Sequence, residues 1–358
     1  MKPVAALEHL PPPDPESVGQ RLVYWQYRAA WEAAARAPGP VARRLPARLG
    51  AAWHAAADRR QRQQVRRNLA RVQPDIGAAE LDELVRAAYV SYARYWLDSF
   101  RLHTMDAAQV IAASTAEGFE HVDAFRDSGR GGIFATGHIG SWDVGAFWTA
   151  QRDWRMVVVA ELVEPRRLFD RFVELRRAAG IDVVPLVKGG DMLDRLEQRV
   201  RDEAALATLL ADRDLTGKGP IVSFFGEPCR LPPGTAALAR RTGRPVVIGG
   251  FMTAGDGFHG VVQQPVELHE LSIHDGTQVV AHELERLIRR FPDQWHVFNR
   301  NWLADREPEH PVVAAWRAGE DWPALARAER SASGPTQRPD AAAQPSDTTA
   351  TRRSGRTS

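Results

Sequence analysis

From residue 131 onward, short apolar segments alternate with longer amphipathic ones, and that alternation limits the possible folds more than any other feature of the chain. Segments 156–160 (MVVVA), 183–187 (VVPLV), 205–210 (ALATLL), 221–225 (IVSFF) and 245–251 (PVVIGGF) are apolar, bounded by polar or turn residues, and too short for helices. They read as buried strands. Between them, 166–179 and 192–203 read as helices. Strands that follow one another through helices predict an α/β fold: a central, mostly parallel sheet flanked by helices, with chemistry at the strand ends.

One stretch, GGIFATGHIGSWDVGAFW at 131–148, brings a strand, a turn, a helix start and a His/acid pair together. Residues 133–135 form the strand, and Ser141 has the profile of an N-cap. Asp143 falls in the first helical turn, where the helix dipole favours a carboxylate. His138 and Asp143 are five positions apart. On a continuous helix that spacing would rotate them by roughly 500°, onto different faces. They meet only if His138 lies in the turn. A histidine held there by a carboxylate is a tuned general base, because the acid fixes the tautomer and stabilises the imidazolium. The same residues also suit a plain turn histidine and a helix-start aspartate, so the motif needs company.

The chain has 358 residues, 44% of them hydrophobic, which is enough for one sizeable core or two small ones. The lone cysteine, Cys229, excludes an intrachain disulfide and points to a reducing compartment. It sits in a proline-flanked turn, EPCRLPP, and reads as structural. No apolar run reaches membrane-spanning length, and the opening MKPVAALEHLPPPDPE lacks a signal-peptide core. Folding on the cytosolic side is expected.

Charge is uneven: residues 1–70 carry twelve Lys/Arg against five Asp/Glu, a net +7 within a chain whose formal charge is only +2. Within them, 18–36 and 45–67 are basic helices with interleaved Trp and Tyr. Such helices suit an anionic membrane interface, and equally suit packing on a core with the arginines solvated. No RNP-like, KH-like or zinc-finger pattern accompanies them, so no nucleic-acid partner is expected. The aromatics of helix 79–100 read as core, and 282–290 is a last amphipathic helix. Beyond about 330 the chain lacks aromatics and large aliphatics and is expected to be disordered. The resulting organisation is 1–70 basic helices, 71–305 the α/β domain, 306–330 an extension and 331–358 a tail.

Several chemistries lack their motifs. No G-x-G-x-x-G follows a strand, and LTGKGP lacks P-loop spacing. Ser141 is not in a nucleophile elbow. No metal is expected, since His138 has no histidine at i+4 and HEL at 282–284 lacks the second histidine of a zinc motif.

The blocks GHIGSWD (137–143), AELVEPRRLFDRFVELRRAAGIDVVPL (160–186), ADRDLTGKG (211–219), FFGEPCRLPPGTAALARRTGRPVV (224–247) and PDQWHVFNRNW (292–302) stand in one order along the chain. In that order the chain resembles the lipid A biosynthesis type acyltransferases, which are glycerolipid acyltransferase-like in fold. Within that family it looks most like the phosphatidylinositol mannoside acyltransferases. The likeness runs from about residue 10 to Trp302 and includes NLARV at 68–72.

The resemblance implies transfer of a fatty acyl group from acyl-CoA, as co-substrate with no other cofactor, to a mannose hydroxyl of a phosphatidylinositol mannoside. It also implies a peripheral protein on the cytoplasmic side of the inner membrane. The family's His and Asp map onto His138 and Asp143 as the catalytic pair. Its pocket acid and arginine map onto Glu161 and Arg176, and a further acid maps onto Asp212. At that last position the family pattern has Glu, so any contact with His138 is made by a side chain one methylene shorter. Arg213 and Glu227, in the same blocks, complete the expected substrate-binding set.

Under this reading His138 deprotonates the sugar hydroxyl as it attacks the thioester, Asp143 holds the ring, and no acyl-enzyme is needed. Phe224, Phe225 and the turns at Gly226 and Gly234-Thr235 would line an acyl slot. Other readings are acylation of another, lipid A-like glycolipid from an acyl carrier protein, a non-catalytic membrane-binding protein, and a thioester hydrolase. Acyl length and oligomeric state stay open.

Overall fold

The structure is a computed structural model that describes residue 10, residues 15–187 and residues 189–332. Its first helix, α1 (Val18–Arg36), starts on a capping box: the Ser17 hydroxyl accepts from the Gln20 amide and the Gln20 side chain accepts from the Ser17 amide. The basic stretch read as one helix at 45–67 is two, α2 (Gly39–Ala56) and α3 (Arg59–Val72). Ala57 closes the first and Asp58 caps the second, its carboxylate accepting from the Gln61 amide at 2.8 Å. Then comes α4 (Ala78–Arg101), followed by α5 (Ala107–Ala112), β1 (Ser114–Glu117) and α6 (Glu120–Asp127).

The alternating part follows: β2 (Gly132–Thr136), α7 (Trp142–Ala150), β3 (Met156–Glu161), α8 (Arg166–Ala178), β4 (Ile181–Leu186), α9 (Met192–Glu203) and β5 (Leu206–Leu210). After it come β6 (Ile221–Phe224), β7 (Glu227–Arg230), α10 (Gly234–Thr242), β8 (Val246–Ala254), β9 (Gly257–Val262) and α11 (Ile273–Arg290). Three shorter helices, α12 (Leu303–Arg306), α13 (Pro311–Ala318) and α14 (Trp322–Ala332), close the described chain.

Seven strands make one sheet in the order β1-β9-β8-β2-β5-β3-β4. Every neighbouring pair is parallel except β8 and β9, which form a hairpin. The fold is therefore α/β, as the alternation predicts. One expected strand does not join this sheet: β6 pairs only with β7, across the left-handed turn residues Phe225 (φ 53°) and Gly226 (φ 78°). β1 and β9, absent from the sequence reading, extend the sheet at its other edge.

Apolar clusters pack around the sheet. One joins Ile133 and Ala135 of β2 to α9, α10 and α11, and also takes in Val65, Leu69 and Val72 of α3 and Leu81 and Val85 of α4. Residue 70, the expected boundary of the N-terminal segment, thus falls inside a helix that belongs to the main core. The other cluster packs α7 and α8 on the sheet through Trp148, Phe169 and Val173. Helix α1 docks by stacking Trp31 on Phe100 of α4 at 5.3 Å and against Phe172 of α8 at 5.4 Å. The extension 306–330 packs Val312, Val313 and Ala326 against Ile221 and Leu303. The expected tail lies outside the described residues beyond 332.

Candidate active site

Strand register builds the centre. β2 and β5 run side by side with Thr136 opposite Leu210, and the Ala211 amide donates to the Thr136 carbonyl at 2.8 Å. Two residues past each of these partners stand His138 and Asp212. They leave neighbouring parallel strands at their carboxyl ends, where open α/β sheets place ligands. His138 Nδ1 lies 2.7 Å from Asp212 Oδ1, and the His138 amide donates to Asp212 Oδ2 at 2.8 Å. The indole N–H of Trp295 donates to the same Oδ2 at 2.8 Å. Asp212 is fully buried. Burial pushes its pKa up, but the His138 ring and these donors outweigh burial, and the net shift is downward, so the carboxylate stays ionised.

The turn carrying His138 is held from outside. Gly140 donates to the Gln294 carbonyl at 2.9 Å, and the His296 amide donates to the His138 carbonyl at 2.7 Å. Residues 294–296 thereby clamp both sides of Ile139. Gly140 has φ 61°, and a Cβ there would come within 2.3 Å of the Phe251 carbonyl oxygen, so no larger residue fits the turn.

Ser141 stands at the N-cap of α7 as expected, but its hydroxyl donates to Asp98 of α4 at 3.1 Å and makes no capping bond. Asp143 does not hold the His138 ring. Its carboxylate accepts from Arg176 Nε at 2.9 Å and Nη2 at 3.4 Å, from the Ser99 hydroxyl at 3.0 Å and from the Tyr95 hydroxyl at 3.3 Å. The reason is geometric. In the first turn of α7 the side chain faces α4 and the last turn of α8, while the far side of His138 is already filled by Asp212.

Arg176 is correspondingly spent on Asp143 and on the face of Trp142, 4.8 Å from its ring centroid, instead of being free to take a phosphate in its fork. Glu161 ends β3 and is exposed. Glu227 is ion-paired with Arg71 at 2.9 Å, and Arg71 also meets Asp305 at 2.6 Å and stacks on Trp302 at 4.4 Å. That places Glu227 in a network tying α3 to the β6–β7 hairpin. Among the expected residues, His138, Asp212 and Arg213 come together, and Asp143 joins Arg176.

His138 opens into a pocket of about 260 Å³ that it lines with Arg213, His296 and the aromatics Tyr27, Trp53, Tyr92, Trp96 and Phe298. Tyr92 and Trp96 had read as core. The signal was there in the sequence: α4 carries more aromatics than one buried stripe can hold. His296 lies in the PDQWHVFNRNW block, which by itself assigns it no role. It stacks on Tyr92 at 4.9 Å and its Nε2 lies 3.0 Å from the Ser91 hydroxyl. Burial first, then the nearby His138, push its pKa down to about 3, so it is a neutral polar group.

On the other side of the turn, a narrow apolar cavity runs between α7 and the sheet, lined among others by Phe134, Thr136, Trp142, Ala146, Thr149 and Phe251. The acyl slot expected at Phe224 and Phe225 is not there, since both rings pack into a cluster with Trp295 and Trp302. The Cys229 thiol is fully buried, and burial raises its pKa, so it is inert.

Residues 16–304 match the family model described as bacterial lipid A biosynthesis acyltransferase. The chain is 35% identical over 294 residues to the phosphatidylinositol mannoside acyltransferase of Mycolicibacterium smegmatis, covering 82% of this chain and 95% of that protein. It is also 35% identical over 299 residues to the protein of the same name from Mycobacterium tuberculosis strain CDC 1551, covering 82% and 93%.

Proposed function

The chain belongs to the bacterial lipid A biosynthesis acyltransferase family and is an acyltransferase; from that premise we propose that it moves a fatty acyl group from acyl-CoA to a mannose hydroxyl of a phosphatidylinositol mannoside. The observation that carries the reading is the His138–Asp212 pair at the mouth of an aromatic pocket. Asp212 occupies Nδ1, which leaves Nε2 as the nitrogen available to a substrate. His138 takes the proton of the acceptor hydroxyl at Nε2 while the oxygen attacks the thioester carbonyl. Collapse of the tetrahedral adduct breaks the C–S bond, and the proton passes to the departing thiolate. Asp212 stabilises the imidazolium between those steps. Asp143 acts one layer out, holding α7 to α4 and α8.

Sugar rings have apolar faces that suit aromatic walls, with Arg213 and the neutral His296 as polar contacts, so the aromatic pocket is the acceptor side. The acyl chain takes the apolar cavity beneath Trp142. The acceptor is named from the mycobacterial relatives. No helix among the described residues is long and apolar enough to cross a membrane. The protein would meet its lipid substrate peripherally, from the cytoplasmic side, through α1 and α2.

The test is purified protein with labelled palmitoyl-CoA and a panel of phosphatidylinositol mannosides and lipid A precursors, read by mass spectrometry. CoA release should rise strongly with mannoside and give an acyl-mannose product. Equal release without acceptor would make the protein a hydrolase, and acylation of the lipid A precursors alone would move the acceptor class.

A further inference from the structure

Residues Trp53 and His54, consecutive at the end of α2, line two different cavities. Trp53 lines the His138 pocket. His54 lines a second cavity of about 320 Å³, between the end of α2, α3 and α4, together with Arg59, Arg62, Arg66, Arg86 and Asp82. Neither the family comparison nor the reaction assigns this second cavity a role.

Its charge is lopsided. The single carboxylate lining it, Asp82, is taken by Arg66 at 2.9 Å. Among the described residues, no carboxylate lies within ion-pairing distance of Arg59, Arg62 or Arg86. Arg62 is fixed in place: its Nη1 donates to the carbonyls that end α2, those of His54 at 3.1 Å and Ala57 at 2.5 Å. Arg62 is thus matched by the carbonyl end of α2, while the Arg59 and Arg86 guanidiniums line a concave space whose one carboxylate, Asp82, is already paired with Arg66. The His54 imidazole registers the field, its pKa lowered by burial and then by Arg62 and Arg86. Guanidinium clusters of this kind recognise phosphate, whose oxygens match the guanidinium fork.

We propose that the cavity bounded by His54, Arg59, Arg62 and Arg86 binds a phosphate group of a substrate and so anchors that substrate beside the His138 pocket. The inference rests on the functional reading above, in which both substrates carry phosphate: the nucleotide end of acyl-CoA, or the phosphoinositol headgroup of the acceptor. The chemistry of the site is common to both.

The experiment uses the full chain and its Arg59→Gln/Arg86→Gln double variant, with Asp82→Asn as the opposite-sign control. Calorimetry measures binding of CoA, adenosine 3′,5′-bisphosphate and glycerophosphoinositol mannoside, and steady-state kinetics give KM and kcat for each substrate. Exposed ion pairs are individually modest, so the two arginines together should weaken the bound probe by about tenfold. KM for the matching substrate should rise similarly at unchanged kcat. Asp82→Asn should tighten the same probe, a gain that a merely destabilised protein would not show. Weakening of the adenosine bisphosphate assigns the site to the donor, and weakening of the glycerophosphoinositol mannoside assigns it to the acceptor. Unchanged binding and KM for all probes would overturn the proposal while leaving the transferase reading intact. A wild-type protein that transfers nothing, yet binds a probe in an Arg59- and Arg86-dependent way, would do the reverse.

Discussion

Asp212 leaves little slack. It reaches one residue twice, through the backbone amide and the ring nitrogen of His138, and receives a third donor from Trp295. Part of the fit comes from Gly137, where a Cβ would stand 3.0 Å from Asp212 Oδ2. Close approach of that backbone lets this short acid reach both the amide and the ring of His138. Replacing Asp212 by Asn keeps the size but removes the charge that stabilises the imidazolium and puts the tautomer at risk. We expect kcat to fall by about 10²–10⁴-fold with the fold intact, as read by circular dichroism and single-turnover kinetics. A wild-type rate in that variant would remove Asp212 from the chemistry. His296 supplies a second residue-scale expectation. Its folded pKa is about 3, against about 6.5 in an unfolded chain. Between those values the unfolded chain holds the extra proton, so this group makes the protein less stable as pH falls. From pH 7 to pH 5.5 it should account for a loss of about 1 kcal/mol. In urea titrations, His296→Gln should flatten that pH dependence, and an unchanged slope would show that the ring is protonated in the folded state.

Among the elements, α7, α8 and α4 meet at one buried carboxylate, and the ion pair of Asp143 with Arg176 is the joint. Removing one partner of a buried pair strands the other charge. Arg176→Ala should therefore cost about 3–5 kcal/mol of stability in urea unfolding, with any loss of activity tracking disorder of the His138 turn. A stability loss under about 1 kcal/mol together with a raised substrate KM would make Arg176 a substrate-binding residue, as the resemblance implies. This joint also shows what the sequence could and could not reveal. The turn position of His138 was legible because strand, turn and helix are local and each has its own residue signature. Its partner Asp212 is reached only through the family resemblance and not from local pattern, because it comes from β5, and nothing local says that β5 inserts between β2 and β3. Asp143 looked like the partner because it was near in sequence, while Arg176, which holds it, lies on another helix. For the same reason β6 read as a sheet strand, since a short apolar run does not tell which edge it pairs with.

At the scale of the molecule, the N-terminal helices face two ways, and that division decides how a protein with no spanning helix among its described residues could work on a lipid. Tyr27 and Trp31 of α1 turn inward onto α4 and α8, and Trp53 of α2 packs on Tyr89 and Tyr92. These rings serve the fold and the His138 pocket, and are not the membrane anchors that their composition suggested. Outward, α1 presents Val18, Leu22 and Trp25, 76%, 58% and 54% exposed, at the helical spacing of one stripe. Val41 and Leu49 of α2 are also exposed, and Arg21, Arg28, Arg44 and Arg48 stand exposed among them. Apolar side chains surrounded by arginines suit a shallow seat at an anionic lipid interface. Each arginine engaged near such a surface contributes about 1 kcal/mol, screened over roughly 8 Å at physiological salt. The protein should therefore co-sediment with phosphatidylinositol-containing vesicles, bind neutral vesicles much more weakly, and lose most of the anionic binding as salt rises. A salt-resistant remainder should disappear in the Val18→Ser/Leu22→Ser/Trp25→Ser variant. That variant takes no buried side chain out of the core, whereas deleting 1–67 would remove Val65 and with it part of the packing under β2. Soluble short-acyl acceptors give the control: the variant should turn them over at the wild-type rate and fail only on acceptor presented in vesicles. Equal binding of the variant and the wild type to anionic vesicles would show that the lipid contact lies elsewhere on the molecule.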